Sequence, residues 1–352
     1  MPAVAETFSL GTPVEIGRID KELKKLWAEG EGVMTRASLI NLAIYCDKPG
    51  SLGQNTQLMS QLTENHACRA IVIEADATAK DNRAEAWISA HCHVSRAGSR
   101  QICSEQLSFQ LGGPCTKLLP SIVFSHLDSD LPFYLWWQTE FRAPLDPELW
   151  SWVDYLIYDS HTWNDYKGQL DLVETARREA DQRIVLSDLN WTRLDKIRTA
   201  VAQFFDPPAA HRHFSRIEKI SITHGRGYRS TALLLAGWVA AQLEWTADGK
   251  PSNNELRFRN EDGKQVTVSL LEKDGQPIGE ISLESGNITF GVKHRPGLDL
   301  LEVTRNDDGE QRLNQLMPAG SNELVALLSE QMMRGGPHAV YLRVIDCLRS
   351  LI

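Results

Sequence analysis

The sequence predicts an α/β protein: an N-terminal layered α/β domain over residues 1–165, followed by an α+β C-terminal domain over 166–352 with antiparallel hairpins and terminal helices. Three observations carry this prediction. SLINLAIYC (38–46) and RAIVIEAD (69–76) are short apolar runs bounded by polar and turn residues, the pattern of strands covered on both faces. Segments with helical spacing alternate with such runs up to about residue 160. After residue 250 the pattern becomes period-2, punctuated by Asp-Gly, Ser-Gly-Asn and Asp-Asp-Gly turns.

Taken in order, PVEIGRIDKELKKLWAE (13–29) reads as a first helix, with Pro13 at an early position and Ile19, Leu23, Leu26 and Trp27 on one face. AEAWISAHCHV (84–94) alternates, with His91 and His93 on one face and Ala90 and Cys92 on the other. ICSEQLSFQL (102–111) alternates too, and Arg96-Ala97-Gly98-Ser99 suits a hairpin loop between them. KLLPSIVFSHL (117–127) reads as a helix, FYLWWQTEF (133–141) and VDYLIYDS (153–160) as strands. LDLVETARREADQ (170–182) and WTRLDKIRTAVAQFFD (191–206) are helical, the second ended by Pro207-Pro208. IEKISITHG (217–225) is a strand, and an apolar helix follows at 230–243. The hairpin region covers 256–309, and helices at 323–335 and 339–352 close the chain.

Composition excludes several classes. A formal net charge of -9 and a pI of about 5.6 argue against binding to a nucleic-acid backbone. The longest apolar run, TALLLAGWVAAQL, has thirteen residues, and a membrane span needs about 20, so no membrane partner is expected. No secretory signal is recognisable at the N-terminus, and none of the six cysteines forms a C-x-x-C; reduced thiols in a cytoplasmic protein are the expectation. The chain carries no Gly-x-Ser-x-Gly elbow, no Walker A loop and no His-Glu-x-x-His. No catalytic residue and no cofactor are expected.

Four features could still carry function. His91 and His93 could both touch a metal, but no further paired ligands accompany them, and Cys103 and Cys115 are too generic to complete a site; a structural role is preferred. In ITHGRGYRSTALLLAG (222–237) a strand runs through Gly225-Arg226-Gly227 into a helix, and Gly225, Arg226, Gly227, Arg229 and Ser230 form a candidate anion or phosphate site. The competing reading is a tight turn with Ser230 capping the helix; Ser230 stands where the dinucleotide fingerprint needs its third glycine. The carboxylate pairs Asp128/Asp130, Asp146/Glu148 and Asp154/Asp159 read as solvated or capping groups. Finally, SDLPFYLWWQ (129–138) is four-tenths aromatic. As a strand it places Phe133, Leu135 and Trp137 on one face and Tyr134 and Trp136 on the other, which suits a central core strand or an interface hot spot. Asp128, Asp130, Phe133, Tyr134, Trp136 and Trp137 are the candidate partner-binding residues, with the strand itself read as core and the loop before it nearest the partner.

LPSIVFSHLDSDLPFYLWWQ (119–138) resembles the signature of the OpcA family, the glucose-6-phosphate dehydrogenase assembly proteins. IDKELKKLW (19–27), HACRAIVIEAD (66–76), ICSEQLSF (102–109), SDLNWTRLDKIRTAVAQFFD (187–206) and YRSTALLLAGWVAAQLEW (228–245) are similar to further family segments, in the same order. The resemblance implies a protein without catalysis of its own. It would bind glucose-6-phosphate dehydrogenase, favour its active oligomer and raise its affinity for glucose 6-phosphate, feeding the pentose phosphate pathway and NADPH supply. Cyanobacterial members are linked to thioredoxin control through C-terminal cysteines. This chain has only Cys347 there, so that control is not expected.

Overall fold

A computed structural model describes residues 10–29, 34–94, 101–143, 147–179, 183–252, 254–336 and 338–352. The candidate hairpin loop 96–99 and Asp146 lie outside the described residues. The chain forms two compact units. The first comprises 1–158, 172–187 and 332–334; the second comprises 159–171, 188–331 and 335–352.

The first sheet is built from β1 (Thr12–Val14), β2 (Met34–Arg36), β3 (Ile40–Cys46), β4 (Cys68–Asp76), β5 (Arg83–Val94), β6 (Gln101–Gly112), β7 (Phe133–Trp137), β8 (Tyr155–Tyr158) and β9 (Val185–Asp188). Their order is β1-β5-β6-β4-β3-β7-β8-β9, with β2 also on β6. The pairs β6/β4, β4/β3, β3/β7 and β7/β8 are parallel, while β1/β5 and β5/β6 are antiparallel. Counted from β3, the sequence β6-β4-β3-β7-β8-β9 is the doubly wound 3-2-1-4-5-6 order, whose switch point lies between β3 and β7. Leu42, Ala43, Ile44, Ile71, Val72 and Ile73 are fully buried, as strands covered on both faces require. Helices α1 (Ile19–Glu29), α2 (Leu52–Thr63), α3 (Leu119–Ile122) and α4 (Pro147–Ser151) accompany this sheet, and α5 (Tyr166–Glu179) contributes residues to both units.

Local chemistry corrects several expectations here. Pro13 sits in β1 rather than in a helix, and pairs with Trp87 at the sheet edge, where a missing N–H costs nothing; α1 starts only at Ile19. The predicted helix 117–127 is broken into 3₁₀ turns around the four-residue α3, with Pro120 in its first turn. The strand predicted to 141 ends at Trp137. Cys92 and Cys103, expected as free thiols, form a disulfide. They stand directly opposite in the antiparallel β5/β6 register, with Cα atoms 4.1 Å apart, the close spacing of a non-hydrogen-bonded pair. Cys46, Cys68, Cys115 and Cys347 are free.

In the second unit, α6 (Leu189–Thr192) and α7 (Asp195–Gln203) precede β10 (Ile217–His224), α8 (Arg229–Gln242) and the short β11 (Thr246–Ala247). Then come β12 (Glu255–Arg259), β13 (Gln265–Glu272), β14 (Ile278–Ser285), β15 (Ile288–His294), β16 (Leu300–Asp307) and β17 (Glu310–Pro318), followed by α9 (Leu324–Arg334) and α10 (Ala339–Leu351). The sheet order is β11-β12-β13-β10-β14-β15-β16-β17. The pairs β12/β13, β14/β15, β15/β16 and β16/β17 are antiparallel as expected, but β13 and β14, on either side of an Asp-Gly turn, do not pair, because β10 inserts between them. It runs parallel to β13 and antiparallel to β14, so β10, α8 and β13 do form a crossover unit that the hairpin pattern had concealed. Helix α8 is apolar on every side and buries ten consecutive residues, Thr231 to Ala240. Gly237 admits α10: a Cβ there would stand 3.0 Å from the Leu348 side chain.

Trp136 is 3% exposed in β7, between Ile44 of β3 and Ile157 of β8. Trp136→Ala is expected to lower the unfolding free energy by about 3–5 kcal/mol, measured by urea denaturation; a loss below about 1 kcal/mol would contradict a core position.

Candidate functional site

The aromatic strand is sheet core. Phe133, Tyr134, Leu135 and Trp136 are buried and Trp137 is half-buried. Tyr134 stacks on Tyr155 at 4.0 Å, and Trp137 stacks on Tyr45 at 3.8 Å. The loop before it is pinned by Asn41: its amide donates to the carbonyls of Asp128 (2.8 Å) and Leu131 (3.0 Å) and accepts from Asp128 N–H (2.9 Å). Asp154 accepts from Phe133 N–H at 2.8 Å. Asp130 is exposed and Asp128 half-exposed, so the ordered turn presents acidic groups while the aromatic side chains lie behind it.

The switch point lies at the carboxyl ends of β3 and β7, where open α/β sheets form their ligand crevice. Here it is bridged by the chain's own side chains. Glu74, 3% exposed at the end of β4, accepts from the first N–H of α2, Leu52 N, at 3.0 Å, and from Gln110 Nε2 at 2.8 Å. A helix N-terminus that could face a phosphate is thus satisfied by an internal carboxylate. Gln138, just past β7, exchanges two amide bonds with Asn55 of α2 at 2.9 and 3.0 Å. Arg142 pairs with Asp47 in the β3–α2 connection at 2.7 Å.

In the second unit, the loop Gly225–Arg229 lies between β10 and α8. Gly227 takes φ +82°, a left-handed conformation suited to glycine. A Cβ on Gly225 would meet the backbone oxygens of Gln276 and Gly275 at 2.8 and 2.9 Å. Arg226 pairs with Asp274 at 3.3 Å in an exposed position. Ser230 does not cap α8: the N-cap is Tyr228, with no side-chain cap bond, and the Ser230 hydroxyl accepts from Asn190 Nδ2 at 3.3 Å. The turn reading therefore holds for the backbone and fails for the cap, because Ser230 lies one residue inside the helix.

Beside this loop lies a polar cluster that sequence reasoning missed. Asp188, 1% exposed, accepts from Ser160 N–H (3.0 Å), Ser160 Oγ (2.6 Å), Asn190 N–H (2.9 Å) and Tyr341 Oη (3.0 Å). Asn190 donates on to Ser160 Oγ and accepts from Thr231 Oγ1 at 2.6 Å. Arg193 holds Asp159 through two bonds of 2.7 and 2.6 Å. The His161 ring lies on Tyr228, centroids 4.0 Å apart, and burial holds its imidazole below the usual histidine range. Burial, and then the Asp159 charge, push Asp188 up to about 6 against the lowering effect of its donors. The one available signal was Ser-Asp-Leu-Asn: Asp188 is the N-cap of α6.

His91 and His93 do not converge on a common partner. His91 bonds Gln106 at 2.8 Å and His93 bonds Thr63 at 3.3 Å. Among the described residues no group of three or more His, Cys, Asp or Glu could hold a metal. No helix among them is long and apolar enough to cross a membrane.

Two family models match the chain: the N-terminal domain of a glucose-6-phosphate dehydrogenase subunit over residues 59–175, and the C-terminal domain of that subunit over residues 184–345. The chain belongs to the OpcA family. It is 26% identical over 328 residues to the OxPP cycle protein OpcA of Synechocystis sp., covering 86% of this chain and 68% of that protein. It is 24% identical over 310 residues to the OpcA protein of Nostoc punctiforme, covering 81% and 65%. The chain thus spans about two thirds of the length of these relatives. Among solved structures, it is similar to an aldose-aldose oxidoreductase from Caulobacter crescentus, with a TM-score of 0.47, 8% identity, and 88% and 94% of the two chains covered.

Asp188 generates a pH prediction. Its folded-state pKa of about 6 exceeds the unfolded carboxylate value of about 3.9. Its stabilising contribution is therefore fully present below about pH 4 and lost as pH rises through about 6. Subtracting the unfolding free energy of Asp188→Asn from that of the wild type is expected to give a difference that falls by about 2–3 kcal/mol between pH 4 and 6.5. A flat difference would contradict a proton-binding Asp188.

Proposed function

We propose that this OpcA-family protein is a non-catalytic, cytoplasmic partner of glucose-6-phosphate dehydrogenase. It binds the enzyme directly, favours its active oligomer and raises its affinity for glucose 6-phosphate. The supporting observation is the bridged switch point: a doubly wound sheet in which the N-terminus of α2 is held by Glu74 and the crevice is spanned by Gln138 and Asn55. A dinucleotide pyrophosphate would meet a carboxylate there instead of free N–H groups, and like charges disfavour binding. Activation without chemistry then follows from linkage: a partner that binds the active state better than the inactive one shifts the population. A coupling of about 1–3 kcal/mol corresponds to a 5–150-fold change in affinity.

The test is a titration of the dehydrogenase from the same organism with this protein, following NADPH formation at low glucose 6-phosphate. The apparent KM is expected to fall and the complex to elute earlier by size exclusion. An unchanged KM and unchanged elution would overturn the proposal.

A second reading places a sugar phosphate or nucleotide at Gly225–Ser230, favoured by the uncapped N-terminus of α8. Glucose 6-phosphate or 6-phosphogluconate at 100 times its Kd would then stabilise the protein by about 2.7 kcal/mol. Absence of any thermal shift with these or with NADP(H) discards this reading and leaves the first.

A further inference from the structure

Two adjoining cavities open on the second unit where α7, α8 and the 208–216 segment meet the sheet. The first, about 360 Å³, has an apolar floor of Val201, Phe205, Phe214, Trp238, Leu243 and Leu283. The second, about 390 Å³, is walled by Trp245 and His211, and shares Phe214, Gln242 and Leu243 with the first. Each lies in the ~300–1,000 Å³ range of pockets that take a ligand or an anchoring side chain. The three shared residues set the two cavities side by side on one face, termed the groove.

The rim is acidic. Asp206 borders the first cavity, and Glu244 and Glu261 border the second. All three are exposed, and none has an ion-pair partner among the described residues. This differs from nearby pairs, where Lys219 faces Glu284 and Arg259 faces Asp248. Arg212 and Arg216 lie on the 208–216 segment itself, beside the lining residues His211, Phe214 and Ile217, but line neither cavity. Glu244 holds a left-handed backbone, φ 54°, just past the end of α8. That turn brings the carboxylate to the mouth of the groove while Trp245 returns to the core.

An apolar floor, with Phe214 half-exposed at its edge, and an acidic rim without ion-pair partners are complementary to a cationic, apolar segment. We propose that this groove docks a segment of the dehydrogenase that carries a leucine- or phenylalanine-sized anchor flanked by lysine or arginine. The inference rests on the partnership proposed above and assigns it a face. The anchor fills the cavity over Phe205 and Trp238. The flanking cations sit against Asp206, Glu244 and Glu261, steering the encounter and making it salt-dependent.

The experiment measures binding of the full chain to the dehydrogenase at low and high salt. It compares wild type with Glu244→Lys/Glu261→Lys, with Leu243→Asp, and with a control double reversal in the same unit, Glu272→Lys/Glu323→Lys, at exposed residues that line neither cavity. Circular dichroism and urea midpoints verify folding of each variant. The rim reversal is expected to weaken binding at least tenfold at low salt and to flatten the salt dependence, while the control stays within about twofold of wild type. A photo-crosslinker at Gln242, which lines both cavities, is expected to capture a dehydrogenase peptide containing Lys or Arg beside an apolar residue. Wild-type binding with both groove variants unaffected and no crosslink would overturn the groove while leaving the partnership intact. No wild-type complex at all would overturn the partnership and the groove with it.

Discussion

A carboxylate removed from water must be surrounded by donors or it destabilises the fold, and leaving such a buried group unsatisfied costs about 1–3 kcal/mol or more. In the second unit Asp188 imposes this requirement on four segments at once. Its donors come from the 159–162 turn, from the first turn of α6 and from α10, and Asn190 extends the set to the start of α8. The terminal helix is therefore fixed in two ways: by Tyr341 on Asp188 and by Leu348 against the bare face of Gly237. The Gly-x-Gly loop inherits its position from the same cluster, because α8 begins where Ser230 and Thr231 bond Asn190.

The first unit meets the same constraint with Glu74, and the solution has a functional consequence. Donors for a buried carboxylate at the end of β4 are available from Gln110 on β6 and from the opening N–H of α2. Supplying them uses the group that a nucleotide-binding version of this sheet would direct at a phosphate. Gln138 and Asn55 then span the crevice, and Trp137 on Tyr45 fills its floor. In the first unit the crevice is thus spanned by the chain's own side chains, and the ordered 128–130 turn presents acidic groups. That distribution suits a protein that acts by contact with another protein.

Much of the architecture was legible from the sequence because it follows from periodicity. Ile40–Cys46 and Cys68–Asp76 are strands with continuous apolar runs, and the turns Gly286-Asn287 and Asp308-Gly309 are two-residue hairpins as their residue types require. The aromatic strand was readable as core, since bulky residues on both faces suit only a covered central position. What escaped was non-local. Nothing in IEKISITH says that it will insert between two hairpins, and nothing in α2, LGQNTQLMSQLT, advertises a helix, because its buried face includes Asn55 and Thr56. Cys92 and Cys103 are joined by register, which no spacing rule reveals. The role of Asp188 within SDLNWTRLDKIRTAVAQFFD is invisible in the sequence, since its partners Ser160 and Tyr341 lie 28 and 153 residues away.

The central claim is that a chain with a nucleotide-type sheet functions through a protein partner. It is tested most directly by sedimentation velocity of the full chain mixed with glucose-6-phosphate dehydrogenase, alongside equilibrium dialysis of the full chain alone with NADP+. The account predicts a boundary heavier than either protein by itself and no retention of NADP+ by this chain. Retention of NADP+ by the chain with no heavier boundary would contradict it, and would restore the β3/β7 crevice as a working ligand site.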